Sequence, residues 1–137
     1  MTFNSAGLFG RYQDREVEET ILSLQTFLED RGLQVFLGDT TATEIAGKRV
    51  EESGQSLPDT IDVGIVVGGD GTMLHVARAL ADYGLPLIGI NLGRLGFLTE
   101  IPAMNMEQRL DEILNGDFIV EARTMLSARV TQEDNVL

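Results

Sequence analysis

The sequence predicts an α/β protein: a mostly parallel open sheet with helices on both faces. Two segments, Asp62–Val67 and Pro86–Ile90, are nearly continuous apolar and β-branched runs, the composition of strands buried on both sides. Apolar residues at helical spacing separate these runs. Strand followed by helix then repeats along the chain, which is the order of a parallel sheet.

Ala6–Gly10 is a short strand candidate, less apolar than the later ones, followed by the polar turn Arg11–Asp14. In Arg15–Asp30, Val17, Ile21, Leu24 and Leu28 recur at helical spacing, with Glu16, Glu18, Glu19, Gln25 and Glu29 outside the stripe. A helix is predicted there, stopped by Gly32. Leu33–Leu37 reads as a strand, Thr40–Lys48 as a short helix, and Glu51–Thr60, with Gly54 and Pro58, as a loop. A helix is predicted over Met73–Tyr83, with Leu74, Ala77, Leu80 and Ala81 on its apolar stripe. Asn105 and Gln108 have the spacing of a capping box for a further helix, running to Leu114 and stopped by Gly116. The pattern then changes. Thr124, Leu126, Ala128 and Val130 alternate with Met125, Ser127, Arg129 and Thr131, as in a half-buried antiparallel strand. Residues 1–118 are therefore expected to form the α/β domain, and 119–137 to begin a second, β-type one.

A chain of 137 residues can build one core, burying roughly two-thirds of its unfolded surface. Its formal net charge of −12 argues against a nucleic-acid or acidic-membrane partner, since phosphate backbones need a basic footprint. A small phosphorylated ligand needs only a local cradle and remains open. With a single lysine, Lys48, cationic help must come from arginine or a divalent metal. The absence of cysteine excludes disulfides and thiolate metal sites. No apolar run approaches the ~20 residues that span a bilayer. No basic-then-apolar leader follows Met1, so a cytoplasmic protein is expected.

In Gly68-Gly69-Asp70-Gly71-Thr72 a buried strand passes through glycines into a helix. Glycine lets the backbone approach a ligand, and the helix start offers unpaired N–H groups and the positive end of its dipole. Together they make a phosphate seat at the carboxyl end of a parallel strand. Asp70 would repel that phosphate unless it held a cation or acted on a neighbouring hydroxyl. The plain alternative is a glycine turn in which Asp70 caps the helix. No Gly-Lys-Ser/Thr ending follows, so this is not a P-loop. In the later motif, Asn91 stands where a dinucleotide fingerprint would place its first glycine.

The first motif is similar to the loop shared by NAD kinases, diacylglycerol and sphingosine kinases and, more distantly, 6-phosphofructokinases. It indicates kinase chemistry without choosing the substrate. The segment Asn91-Leu-Gly-Arg-Leu-Gly-Phe-Leu-Thr99 makes that choice. Asn91 supplies an amide that both donates and accepts, Gly93 and Gly96 permit a tight path, and Phe97 and Leu98 offer an apolar wall for a flat ring. Read without the first motif, the same residues are a strand end, a glycine turn and two core side chains. With its flanks it closely resembles the second signature of bacterial NAD kinases, at the matching distance from Asp70.

That resemblance covers nearly the whole chain and implies a Rossmann-like N-terminal domain followed by the first strand of a truncated β-rich C-terminal domain. It implies phosphoryl transfer from ATP or polyphosphate, with Mg²⁺, to the 2′-hydroxyl of the adenosine ribose of NAD, giving NADP. Asp70 would take the hydroxyl proton. Gly68, Gly69, Gly71 and Thr72 would cradle phosphate, and Asn91, Gly96, Phe97 and Leu98 would line the NAD pocket. Asp70→Asn would then keep nucleotide affinity while losing turnover. His75, one turn into the helix, occupies a position where family members often carry a basic nucleotide contact; a bare surface histidine is the alternative. Arg11, Arg78 and Arg94 read as solvated arginines or phosphate contacts, with a subunit partner a further alternative for Arg94. The family's later Asn-Glu or Asn-Asp pair, and its serine- and glycine-bearing stretch, are not in this sequence. The fragment alone is therefore expected to be inactive, and the full-length enzyme to be a homo-oligomer. Two other readings stay open: a lipid kinase, which leaves Asn91–Thr99 unexplained, and a non-catalytic nucleotide-binding module.

Overall fold

A computed structural model describes residues 2–11, 13–38, 61–94 and 96–132, and the backbone of 48–49 and 135–136. The six-stranded sheet has the order β3-β2-β1-β4-β5-β6 and is parallel throughout. Its strands are β1 (Ser5–Gly10), β2 (Gln34–Leu37), β3 (Lys48–Arg49), β4 (Val63–Val67), β5 (Leu87–Asn91) and β6 (Ile101–Pro102). The helices are α1 (Arg15–Asp30), α2 (Asp70–Leu80) and α3 (Met106–Leu114).

Alternation along each strand divides the core between the two faces. Ala6, Leu8, Val35, Leu37, Val63, Ile65 and Val67 pack with Ile21, Leu24 and Leu28 of α1 and with Met106, Leu110 and Leu114 of α3. Phe9, Phe36 and Val66 pack on the other face with Met73, Val76 and Leu80 of α2. Helices therefore cover both faces. The low apolar content of β1 has a steric reason. A Cβ on Gly7 would lie 2.9 Å from the Phe9 ring and 2.8 Å from Ile61, and one on Gly64 would lie 3.4 Å from that ring. Glycine makes the floor on which Phe9 lies.

α1 keeps its predicted limits. Asp14 caps its start, accepting from the N–H groups of Glu16 (2.9 Å) and Val17 (3.4 Å). At its end Gly32, with φ of 86°, and Leu33 return hydrogen bonds to Glu29 and Leu28, a Schellman arrangement. Arg31 then forks onto Asp111 of α3 at 2.6 and 3.1 Å, tying the two helices on that face.

Several expectations are corrected. α2 begins at Asp70, and Ala81–Tyr83 is a 3-10 turn closed by Gly84 at φ of 64°. Its buried stripe is Met73, Val76 and Leu80, whereas Leu74 is 48% exposed; the bulkier phase wins over the one containing Ala77 and Ala81. Asn105 makes no capping bond, because Ala103–Asn105 already winds as a 3-10 turn and the residue lacks the extended backbone of an N-cap. The strand read across Thr124–Thr131 is absent through Val130. This stretch has no ladder partner among the described residues, and Leu126 and Val130 are exposed. Alternation makes a strand only where an edge and a surface receive it. Thr131–Gln132 (β7) instead pairs antiparallel with Asn135–Val136 (β8). The predicted helix over Thr40–Lys48 lies outside the described residues except at Lys48, which is in β3; the Glu51–Thr60 loop lies wholly outside them.

Candidate functional site

β1 and β4 are neighbours whose connections leave in opposite directions, β1 toward β2 and β4 toward β5. Such a switch point opens a crevice beyond the carboxyl ends of the strands, where α/β sheets place ligands. Both motifs lie at that end, one after β4 and the other after the adjacent β5.

β4 stops at Val67, and Gly68 donates from its N–H to the Ile90 carbonyl at 2.9 Å. Gly68 then turns with φ of 148°, a conformation that side chains oppose, and a Cβ there would also press on Thr72 Oγ1 at 3.0 Å. Gly69 is the N-cap of α2 and offers no side-chain bond to its first turn. A Cβ on Gly69 or Gly71 would meet nothing within 4 Å. The start of α2 therefore faces open space, as an anion seat requires.

Asp70 does not sit idle in that turn. Its Oδ2 accepts from the Phe97 N–H and its Oδ1 from the Leu98 N–H, each at 3.0 Å. These bonds, Leu98 first and then Phe97, hold the carboxyl below its ordinary pKa. The first turn of a helix also favours the negative charge. Gly96 completes the clasp, since its Cβ would fall on the Asp70 carboxyl, 2.8 Å from Cγ.

Asn91 is the last residue of β5 and is 2% exposed. Its Nδ2 donates to the Thr99 carbonyl at 3.0 Å and its Oδ1 accepts from the Gly93 N–H at 3.2 Å. The side chain thus faces inward and bridges the two limbs of the motif. Phe97 projects outward, 87% exposed, and Leu98 packs against the second core cluster. Thr99 is fully buried, with no partner for its Oγ1.

Gly89 escaped the sequence reading. A Cβ there would lie 2.7 Å from both the Leu98 carbonyl and Thr99 Cα, so its bare backbone lets the motif's return limb cross β5. The available signal was a glycine inside an otherwise apolar strand, which often marks a close backbone approach.

His75 and Arg78 are exposed and follow Gly71 at helical spacing along α2. Arg11 and Arg94 are also exposed. Among the described residues Arg11, Arg78 and Arg94 form no ion pair with one another or with a carboxylate. No group of three or more His, Asp or Glu suited to a metal ion occurs among the described residues. The described residues likewise contain no helix long and apolar enough to cross a membrane.

The chain is similar to the NAD kinase of Nitrosomonas europaea, 43% identical over 135 residues that span 95% of this chain and 44% of that protein. It is 45% identical over 130 residues to the NAD kinase of Aromatoleum aromaticum, covering 93% and 43% respectively. It is also 42% identical over 136 residues to the NAD kinase of Pseudomonas putida, covering 98% and 46%. The chain thus spans less than half the length of these relatives. In fold it matches yeast NADH kinase complexed with NADH with a TM-score of 0.67 at 18% identity, over 83% of this chain and 36% of that one. The model of the ATP-NAD kinase N-terminal domain matches residues 6–118, the stretch that holds the parallel sheet and both motifs. The chain belongs to the ATP-NAD kinase N-terminal domain family.

Proposed function

We propose that this chain supplies the nucleotide-binding half of an NAD kinase, which transfers a phosphoryl group from ATP or polyphosphate to the 2′-hydroxyl of the adenosine ribose of NAD. One observation supports this above the others: Asp70 of the first motif is hydrogen-bonded to Phe97 and Leu98 of the second. This contact supports a reading in which the segment that would cradle phosphate and the one that would pack a ring act at one strand-end crevice. A lipid kinase would use the first motif and leave the clasped second one without a purpose.

Phosphoryl transfer through a loose transition state depends on alignment and charge neutralisation more than on early proton removal. The open start of α2, at Gly69, Gly71 and Thr72, is suited to phosphate oxygens. Mg²⁺ would arrive on the ATP phosphates. Asp70 stays ionised, and the lone pairs left by its two N–H bonds can accept the ribose hydroxyl, orient it and receive its proton. His75 and Arg78, both exposed on α2, are the cations of that helix that could meet phosphate. Phe97 offers an exposed ring for stacking. A cytoplasmic homo-oligomer, with residues 119–137 opening a second domain, completes the proposal.

The test is the protein at the length of its relatives, incubated with NAD, ATP and Mg²⁺ and assayed for NADP, then repeated with NADH, polyphosphate and diacylglycerol. NADP formation supports the proposal. Phosphorylation of diacylglycerol alone, or nucleotide binding without turnover, replaces it with a lipid kinase or a binding module. Light scattering of the same sample gives the oligomeric state.

A further inference from the structure

We propose that Asn91 is a positioning residue, closing the 92–98 loop from beneath so that the Phe97 and Leu98 amides reach Asp70, and that it acts through the loop without touching nucleotide. The proposal deepens the nucleotide-site reading and rests on it for its functional meaning, while its geometry stands independently.

After Asn91 the backbone leaves the sheet, and it returns almost at once, because Ile90 and Asn91 pair in register with Ile101 and Pro102 of β6. The two limbs of the loop therefore begin and end at one height. Asn91 ties both, holding Gly93 on the outgoing limb through Oδ1 and Thr99 on the returning limb through Nδ2. Asparagine is suited to this pair of tasks. Aspartate cannot donate to a carbonyl, leucine can do neither, and a serine hydroxyl sits too close to the backbone to span both limbs. The returning limb is also pressed onto Gly89, where a Cβ would lie 2.9 Å from the Met73 methyl as well as against the loop backbone. From the far side, Asp70 grips the two amides immediately before Thr99. The tip is thus held between a buried amide and a carboxylate. At 2% exposure, Asn91 turns almost no surface to a ligand, and its two hydrogen bonds are spent on the loop.

The test uses this chain without nucleotide, so its outcome is separate from whether NADP is made. In Asn91→Ala, the Phe97 and Leu98 amides should exchange with deuterium about tenfold faster or more, the equivalent of one lost hydrogen bond, while amides of β1 and β4 keep their protection. The Asp70 carboxyl, followed by carbon-13 NMR, should titrate closer to an ordinary aspartate. Unchanged exchange at Phe97 and Leu98 together with an unchanged Asp70 titration would overturn the proposal. If β4 protection is lost and the variant does not fold, the unmodified chain decides. Slow exchange of the Asn91 side-chain amide protons supports the positioning role, and exchange at the rate of a free amide overturns it.

Discussion

The Asp70 carboxylate accepts the backbone N–H of Leu98 at 3.0 Å across 28 positions of sequence, and that of Phe97 at the same distance. A residue suited to proton transfer is thereby also the anchor of a loop. Asp70→Asn consequently differs from the clean loss of a base. Its amide could accept one of these N–H groups, but its NH₂ would face the other, donor against donor. At the length of the relatives we expect this variant to lose turnover by at least ~10²-fold, the lower end of general-base assistance, and to bind NAD more weakly as well. Steady-state kinetics and calorimetric titration would check it. Intact affinity with lost turnover would leave Asp70 as a base and remove its anchoring role.

Gly96→Ala probes the same clasp without altering Asp70. The new methyl group would occupy the space of the carboxyl, so Asp70 must rotate away and release Phe97 and Leu98. Nucleotide affinity should fall about tenfold or more, and thermal stability should fall as the two bonds are lost, read by calorimetric titration and a melting curve.

Gly89→Ala should act on stability instead. Its Cβ meets backbone, the Leu98 carbonyl and Thr99 Cα, which can yield only if the loop moves. Overpacking of this kind costs about 1–3 kcal/mol, measurable by urea unfolding. A variant as stable as the parent would mean that the loop does not lie against β5.

Acid should loosen the loop before the sheet. The folded Asp70 titrates below its ordinary value, which the unfolded chain regains, so its contribution to stability is complete above the ordinary aspartate range. That contribution is lost as pH falls through the depressed folded value. Asp111, held low by the Arg31 side chain, follows the same sign and weakens the tie between α1 and α3 in acid. Deuterium exchange across a pH series should show Phe97 and Leu98 protected near neutrality and released only in acid. Release at neutral pH would contradict the clasp.

Asp14→Ala serves as a distant control. Removing the α1 cap should cost about 1 kcal/mol in chemical unfolding and leave nucleotide affinity unchanged.

Much of this arrangement was legible in the sequence. The apolar run before Gly68 and the helical stripe after Arg15 define β4 and α1 closely, because burial on both faces or on one stripe leaves a periodic trace. The two glycine-bearing motifs marked the ends of adjacent strands. Other features depend on packing and leave no such trace. Leu74 and Met73 are equally plausible core residues until the sheet selects a phase. That Asn91 bonds Gly93 and the Thr99 carbonyl depends on the path of the loop, which no spacing reveals. The alternation in Thr124–Thr131 encodes a strand only where another strand receives it.

The parallel domain has a visible seam at its end. Phe118 stacks on Phe3 with ring centroids 5.7 Å apart, and beyond it Ile119, Val120, Leu126 and Val130 are exposed in this chain, on backbone with no ladder partner among the described residues. Proteases need such extended, accessible chain in their clefts and favour large apolar side chains at the cut. A brief digestion should trim these residues and halt at the aromatic stack, leaving a resistant core that carries both glycine motifs.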